Sequence, residues 1–195
     1  PIKKVAKRGA KFPIELINNR PYVNANLTTE KAEKLNVKLL VDCGASHALS
    51  MQAYNDAAFP LPNTHIVANL GIGLNGLIDG HVARIPNLQL GKYNFKNILS
   101  GFPAFESVAS KTGYKTQDGN LGADFLKRFD ITYDYQQNNI YLKPNKYYRE
   151  PFEHDMSGIE VYVDNGRFFV GRIEPGSPAE KAGFIVNDEF LSLDL

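Results

Sequence analysis

The sequence predicts a mainly β protein, a barrel or sandwich of short strands with one short helix, followed by the start of a smaller α+β module. Three observations carry this. Residues 66–103 alternate apolar and polar side chains, with glycine at the breaks. Asn18-Asn19 and Asn138-Asn139 lie between apolar runs, where tight hairpin turns are made. Ser177, Pro178 and Gly183 frame a short helix beyond a polar, proline-containing stretch.

Taken in order, residues 1–11 are basic and read as a solvated tail. Residues 12–143 form the predicted β lobe. "FPIELINNRPYVNANL" is a strand, an Asn-Asn turn and a second strand. "TTEKAEKLN" is a polar hairpin loop leading into "VKLLVDCG". Residues 66–103 are a run of short strands and hairpins. "LGADFLKRFDI" is the helix candidate, with Leu121, Phe125, Leu126 and Phe129 on one side. "ITYDYQQNNIYLKP" reads as a hairpin: Thr132 and Tyr133 lead in, Asn138-Asn139 turn, and Ile140–Leu142 return. Residues 144–156 are polar and aromatic and read as a linker. The last module occupies 157–195, with a helix "SPAEKAG" capped by Ser177.

Composition narrows the function classes. Of 195 residues, 43% are hydrophobic and 22% charged, as expected of a globular protein with room for one domain and part of another. A net charge of +1 argues against a nucleic-acid surface. No apolar run approaches the roughly 20 residues that span a membrane, and no signal peptide is visible. The chain starts on Pro1, as a processed or excised piece would. Its one cysteine leaves no internal disulfide or zinc cluster, and its four histidines lack metal-ligand spacing. No metal or cofactor is expected. A lone cysteine is compatible with either side of a membrane.

The chemistry is concentrated in "LLVDCGASHALS", residues 39–50. Leu39, Leu40 and Val41 run straight into Asp42, and Gly44 permits a sharp turn. Ser46 is placed to hydrogen-bond the carboxylate or the loop amides. Donors of that kind keep a partly buried carboxylate ionised. Read from the tetrapeptide alone, Asp42 is equally a turn residue closing a strand.

The stretch "LLVDCGASHAL" resembles the active-site loop of aspartic peptidases, where apolar residues precede Asp-Thr/Ser-Gly-Ala/Ser. "GNLGADFLKRFDITYDYQQNNIYLKP" resembles that fold's second hallmark. There an apolar-Gly segment threads beside the catalytic loop, a short helix follows, and a last hairpin closes the lobe. The resemblance covers residues 12–143 and is closest to retropepsin-like bacterial aspartyl proteases that carry a C-terminal PDZ domain. It implies a closed acid-protease (pepsin/retropepsin-like) β-barrel lobe and an aspartic-type endopeptidase acting on peptides or proteins. Asp42 would be the catalytic carboxylate, sharing a proton and a water with a second aspartate. Cys43, Gly44, Ala45 and Ser46 would complete the catalytic loop, with Ser46 donating to the outer carboxylate oxygen. Leu121 and Gly122 would form the supporting segment. Leu74, Asn75, Gly76 and Leu77 would form the flap, which lacks the aromatic tip many relatives carry. Export to the periplasm or cell surface is a further implication.

Only one copy of the motif is present. Asp79-Gly80 and Asp118-Gly119 read as hairpin turns, and Asp124 and Asp130 as exposed residues on or beside the helix. The second aspartate would come from a homodimer partner or from another lobe. Two residues depart from the pattern. Cys43 stands where Thr or Ser locks the paired loops together, and a thiol is a weaker donor. Asn120 stands where an apolar residue is usual.

"MSGIEV…RFFVGRIEPGSPAEKAGFIVNDEFLSLD" resembles the first half of a PDZ domain. Met156, Ser157, Gly158 and Ile159 match its carboxylate-binding loop, which takes a peptide C-terminus in a nest of backbone N–H groups. Asn187-Asp188 stands where Gly-Asp is usual, and Asn tolerates the left-handed turn. The helix that forms the groove's other wall is absent from residues 157–195.

Overall fold

The computed structural model describes residues 9–73, 76–104, 117–153 and 155–193. They form two compact units, one running through Phe152 and the other from Glu153 onward. The protein is mainly β, as predicted. The first unit contains β1 (Ala10–Pro13), β2 (Glu15–Ile17), β3 (Arg20–Thr28), β4 (Lys34–Val41), β5 (Leu49–Met51), β6 (Ala53–Tyr54) and β7 (Ala57–Ala58). It continues with β8 (His65–Gly73), β9 (Gly76–Leu90), β10 (Tyr93–Pro103) and β11 (Gly119–Leu121). Helix α1 (Ala123–Leu126), β12 (Phe129–Asp134) and β13 (Asn139–Pro144) follow. The second unit holds β14 (Ile159–Asp164), β15 (Arg167–Ile173), α2 (Pro178–Ala182) and β16 (Glu189–Phe190).

The main sheet runs β2-β3-β4-β11-β5-β10-β9-β8, and β3 also pairs with β9. That extra pairing, Asn26↔Gln89 through Thr28↔Asn87, closes the ladder from β3 round to β9 into a ring. Alternation aims Val37, Leu39 and Val41 of β4 at the interior, while Val23, Ala25 and Leu27 of β3 come from the neighbouring strand. Leu49, Leu88, Ile98 and Leu121 join them in one continuous core. A smaller sheet, β1-β13-β12, packs by Ala10↔Leu142 and Ile131↔Leu142 pairing.

Both predicted asparagine turns are present, in different forms. Asn18 and Asn19 have φ of 50° and 62°, the two-residue turn whose twist matches the strands it joins. At the other hairpin only Asn138 is left-handed, with φ 52°, and Asn139 already belongs to β13. The chain approaches it through a 3-10 turn, Tyr135–Gln137, whose N-cap Asp134 accepts from the Gln137 amide.

The helix is shorter than the pattern suggests, four residues, yet Leu121, Phe125, Leu126 and Phe129 are all buried. Their aromatic rings meet Phe95 at 4.8 Å (Phe125) and 6.0 Å (Phe129), and Tyr148 and Phe152 approach the same ring at 5.4 and 6.0 Å. This corrects the expected 144–156 linker, because the chain stays packed on the first unit as far as Phe152. The cause is a pair of arginine anchors, Arg128 buried and Arg84 at the surface. Arg128 donates to the carbonyls of Glu150 and Pro151 and stacks 3.8 Å from the Phe152 ring, and Arg84 donates to the Phe152 carbonyl.

The expected tail also shortens. Ala10 and Lys11 pair in β1 rather than trailing in solvent, and residues 1–8 lie outside the described residues. Asp79-Gly80 is not a turn, since both residues pair with Asn69 and Ala68 within the β8–β9 ladder. Asp118-Gly119 leads into β11 rather than reversing the chain. Among the described residues no helix is long and apolar enough to cross a membrane.

In the second unit, β14, β15 and β16 form an antiparallel sheet. Ser177 caps α2 by accepting from the Glu180 amide, and Gly183 ends it with φ 87°. Asn187 adopts the left-handed conformation expected of it, with φ 74°. Phe125→Ala removes the ring that joins α1 to the aromatic cluster. It is expected to cost about 3–5 kcal/mol, read as a lower urea midpoint with unchanged slope.

Candidate active site

Asp42 follows the last residue of β4, and β11 holds it there. Strand β11 lies between β4, with which it is parallel, and β5, with which it is antiparallel. The Asp42 amide extends this ladder by donating to the Leu121 carbonyl at 2.9 Å. From there the chain turns on itself. The Asp42 carbonyl accepts from the Ala45 amide at 3.4 Å, and Oδ1 accepts from the Gly44 amide at 3.0 Å. Asp42 is half-buried, whereas Cys43, Gly44 and Ser46 are exposed.

The far side of the loop is gripped by the turn between β11 and α1. The Ala123 amide donates to the Ala45 carbonyl at 2.7 Å, and the Gly122 amide to the Ala48 carbonyl at 3.0 Å. Gly122 is extended, with φ −96° and ψ −177°, so conformational freedom does not explain it. Space does: a Cβ there would fall within 3.0 Å of the His47 and Ala45 carbonyl oxygens. At Gly44 a Cβ would meet only Asp42 Oδ1, at 3.3 Å, which is tight but milder. The structure thus brings Asp42, Gly44, Ala45, Leu121 and Gly122 together.

Ser46 is a correction. It makes no hydrogen bond to Asp42. The donor at Oδ2 is Asn120 Nδ2, 3.5 Å away. Because β11 alternates, Leu121 enters the core and Asn120 emerges on the opposite side, beside the carboxylate. Its Oδ1 receives Gln117 Nε2 at 2.6 Å and Gln52 Nε2 at 3.4 Å, and Gln117 also donates to Gln52 Oε1 at 3.2 Å. The sequence singled out Asn120 only as a departure. Gln52 and Gln117 carry no local signal, because chain folding alone brings them near.

Cys43 Sγ lies 3.5 Å from Tyr133 Oη on β12. Burial, followed by the hydrogen bond and charge of Cys43, pushes the Tyr133 hydroxyl above its ordinary pKa, so it stays neutral. Tyr133 stacks on Tyr135 with centroids 5.5 Å apart. His47 sits behind the loop with its Nε2 buried and unpartnered. Burial lowers its pKa, and the nearby Asp42 charge only partly opposes this.

Asp118, Asp124 and Asp130 are engaged elsewhere. Asp118 accepts from the Lys38 amide at 2.7 Å, and burial raises its pKa against the pull of that bond. Asp124 pairs with Lys127 and Arg128, and Asp130 with Lys143. Of these two, Asp130 is exposed as expected, whereas Asp124 is half-buried under its partners.

Of the flap residues, Leu74 and Asn75 lie outside the described residues, while Gly76 and Leu77 begin β9, with Gly73↔Gly76 and Ile72↔Leu77 pairing. In the second unit, Gly158 has φ 74°, and a Cβ there would collide with the Ser177 side chain. The Ser157 amide donates to Asp155 Oδ1 and the Ile159 amide to Ser157 Oγ, so two amides of the Met156–Ile159 loop are engaged by local side chains. Met156 is exposed.

No protein-family model matches the chain, and no curated protein matches its sequence.

Two outcomes follow from this geometry. Gly122→Ala is expected to cost about 2 kcal/mol, as overpacking against main chain does. Chemical denaturation would show it, and a loss near zero would mean the loop can retreat. For His47, a folded pKa below the unfolded value means the unfolded chain binds more protons. Stability is therefore complete above the ordinary histidine range of about 6.5 and is lost as pH falls. Unfolding midpoints of His47→Leu should fall less between pH 7 and pH 5 than those of the unaltered protein.

Proposed function

We propose that the first unit is one lobe of an aspartic endopeptidase, with Asp42 as one of two carboxylates that hold and activate a water. The observation that carries this reading is β11 threaded between β4 and β5, bonding the Asp42 amide and gripping the loop behind it. The resemblance in sequence names the same segments for the same roles.

The chemistry follows from the pair. One carboxylate, ionised, takes a proton from the water as it attacks the peptide carbonyl carbon. The other, protonated, gives its proton to the carbonyl oxygen. Two carboxylates that close share one proton, so their titration belongs to the pair. Asp42 is bonded on both oxygens by neutral donors, Gly44 and Asn120, and none of the other carboxylates described above bonds to it. The second carboxylate is supplied by a second copy of the chain or by another lobe. The β8–β9 hairpin would cover the substrate. The second unit would be the first half of a PDZ module, with Gly158 and Asn187 providing its left-handed turns.

A second reading is a peptide-binding scaffold with weak catalysis or none. What favours it is Cys43, whose thiol faces Tyr133 of its own unit, where the fold expects a hydroxyl reaching the opposite loop.

The test joins two measurements on one preparation. Light scattering across a concentration series should show a dimer if two copies complete the site. Cleavage of a mixed peptide library at acid to neutral pH should fall by ~100-fold or more in Asp42→Asn. Cleavage that survives this change would exclude the endopeptidase reading. Cleavage by a strict monomer of residues 1–195 alone would exclude a second copy as the source of the partner carboxylate.

A further inference from the structure

Asn120 is fixed on both sides by main chain, opposite Leu40 of β4 and Ser50 of β5. Its side chain is oriented by its own contacts. Gln117 Nε2 and Gln52 Nε2 are both donors, and both point at Oδ1. Turning the amide over would set Nδ2 against these two donors and Oδ1 against the carboxylate. Turning all three amides over together would keep the bonds among them but set Asn120 Oδ1 against the Asp42 carboxylate, so the carboxylate, which only accepts, selects the observed orientation with the N–H₂ end on Oδ2. The cluster draws on three places in the chain: β11, the residue after β5, and the residue two before β11.

We infer that Asn120 is a positioning residue for Asp42. It orients the carboxylate from a rigid strand and does the work expected of Ser46 on the loop. The inference rests on the endopeptidase reading for its catalytic consequence, but the hydrogen bond itself does not. With Gly44 on Oδ1 and Asn120 on Oδ2, the carboxylate plane is held from two directions. Its remaining lone pairs are left for the water and the second carboxylate. Gln117 and Gln52 hold the far end of the amide in place.

Asn120→Asp separates this role from mere packing. The change is isosteric and keeps an acceptor for Gln117 and Gln52, but it replaces the donor facing Asp42 with an oxygen. Melting temperatures should be compared for the unaltered protein, Asn120→Asp, Asp42→Ala and the double variant at pH 6.5. Positioning predicts that Asn120→Asp lowers the melting temperature by at least ~2 °C more when Asp42 is present than when it is alanine. Charge repulsion alone would also give that coupling at pH 6.5, so the uncharged Asn120→Leu is carried through the same cycle, and equal losses of Asn120→Leu in the two backgrounds would overturn the inference. Where the protein cleaves peptides, kcat of Asn120→Asp should fall ~10-fold with KM little changed. That loss should shrink as pH falls, because the introduced carboxyl, once protonated, donates again. An unchanged kcat would also overturn the inference. Coupled melting in a protein that cleaves nothing would support the positioning and remove the endopeptidase reading instead.

Discussion

A three-residue strand, Gly119–Leu121, is the constraint on which the first unit depends. It bonds to β4 on one side and β5 on the other, so it joins the two strands that enter and leave the Asp42 loop. Without it, that loop would connect two strands with no partner between them, and their main-chain groups would need water. Glycines bracket it for reasons of space. A Cβ at Gly119 would fall within 3.0 Å of the Ser50 carbonyl oxygen, and one at Gly122 would meet the carbonyls of the loop. The strand is therefore held by main chain passing closer than a side chain allows. Its continuation into α1 carries Phe125 into the aromatic cluster, which ties the loop to the barrel's interior.

The same threading sets the electrostatics around Asp42. The apolar strand brings a carboxylate to a place that water only half covers, and main chain supplies the first donor. Side chains around it remain neutral for reasons of burial. Tyr133 keeps its proton because desolvation and Cys43 disfavour the phenolate, and His47 resists protonation because its ring is desolvated behind the loop. The observed donors are a backbone N–H and a carboxamide, which orient a carboxylate without adding charge.

Much of this was legible in residues 39–50 and 119–131, because it rests on local pattern. An apolar strand ending in Asp42, and Leu121, Phe125, Leu126 and Phe129 on one face, are consequences of short-range periodicity, whereas the glycine where the chain crosses was named only by the family resemblance. Both asparagine turns were readable for the same reason, although the sequence could not distinguish a two-residue turn from one prefaced by a 3-10 turn. What escaped depended on distant segments. Residues 144–152 look like a linker by composition, yet Arg84 and Arg128 anchor them with carbonyl bonds that no pattern announces. Ser46 was the obvious donor by proximity. Strand alternation instead puts Asn120 at the carboxylate, 78 residues away in sequence. A polar residue in a three-residue strand flanked by pairing on both sides was the one available signal.

Cys43 bears most directly on how a second carboxylate could be brought to Asp42. On the reading proposed here, the two loops of a complete site must be held together across their interface. A hydroxyl at this position would do so by a hydrogen bond to the opposite loop, and a thiol forms a weaker one. In this chain the thiol already has Tyr133 of its own unit as a partner. Joining a second loop would cost that contact, so association must draw on other surface, such as the exposed Tyr135 stacked on Tyr133. A site assembled that way would be sensitive to concentration, and the precision of each carboxylate would rest on its own lobe. This is the circumstance in which a donor mounted on a rigid strand matters more than one on the loop. If the loops do not lock each other, each must arrive already oriented, and Asn120 with its two glutamines is the part of this lobe that can do so.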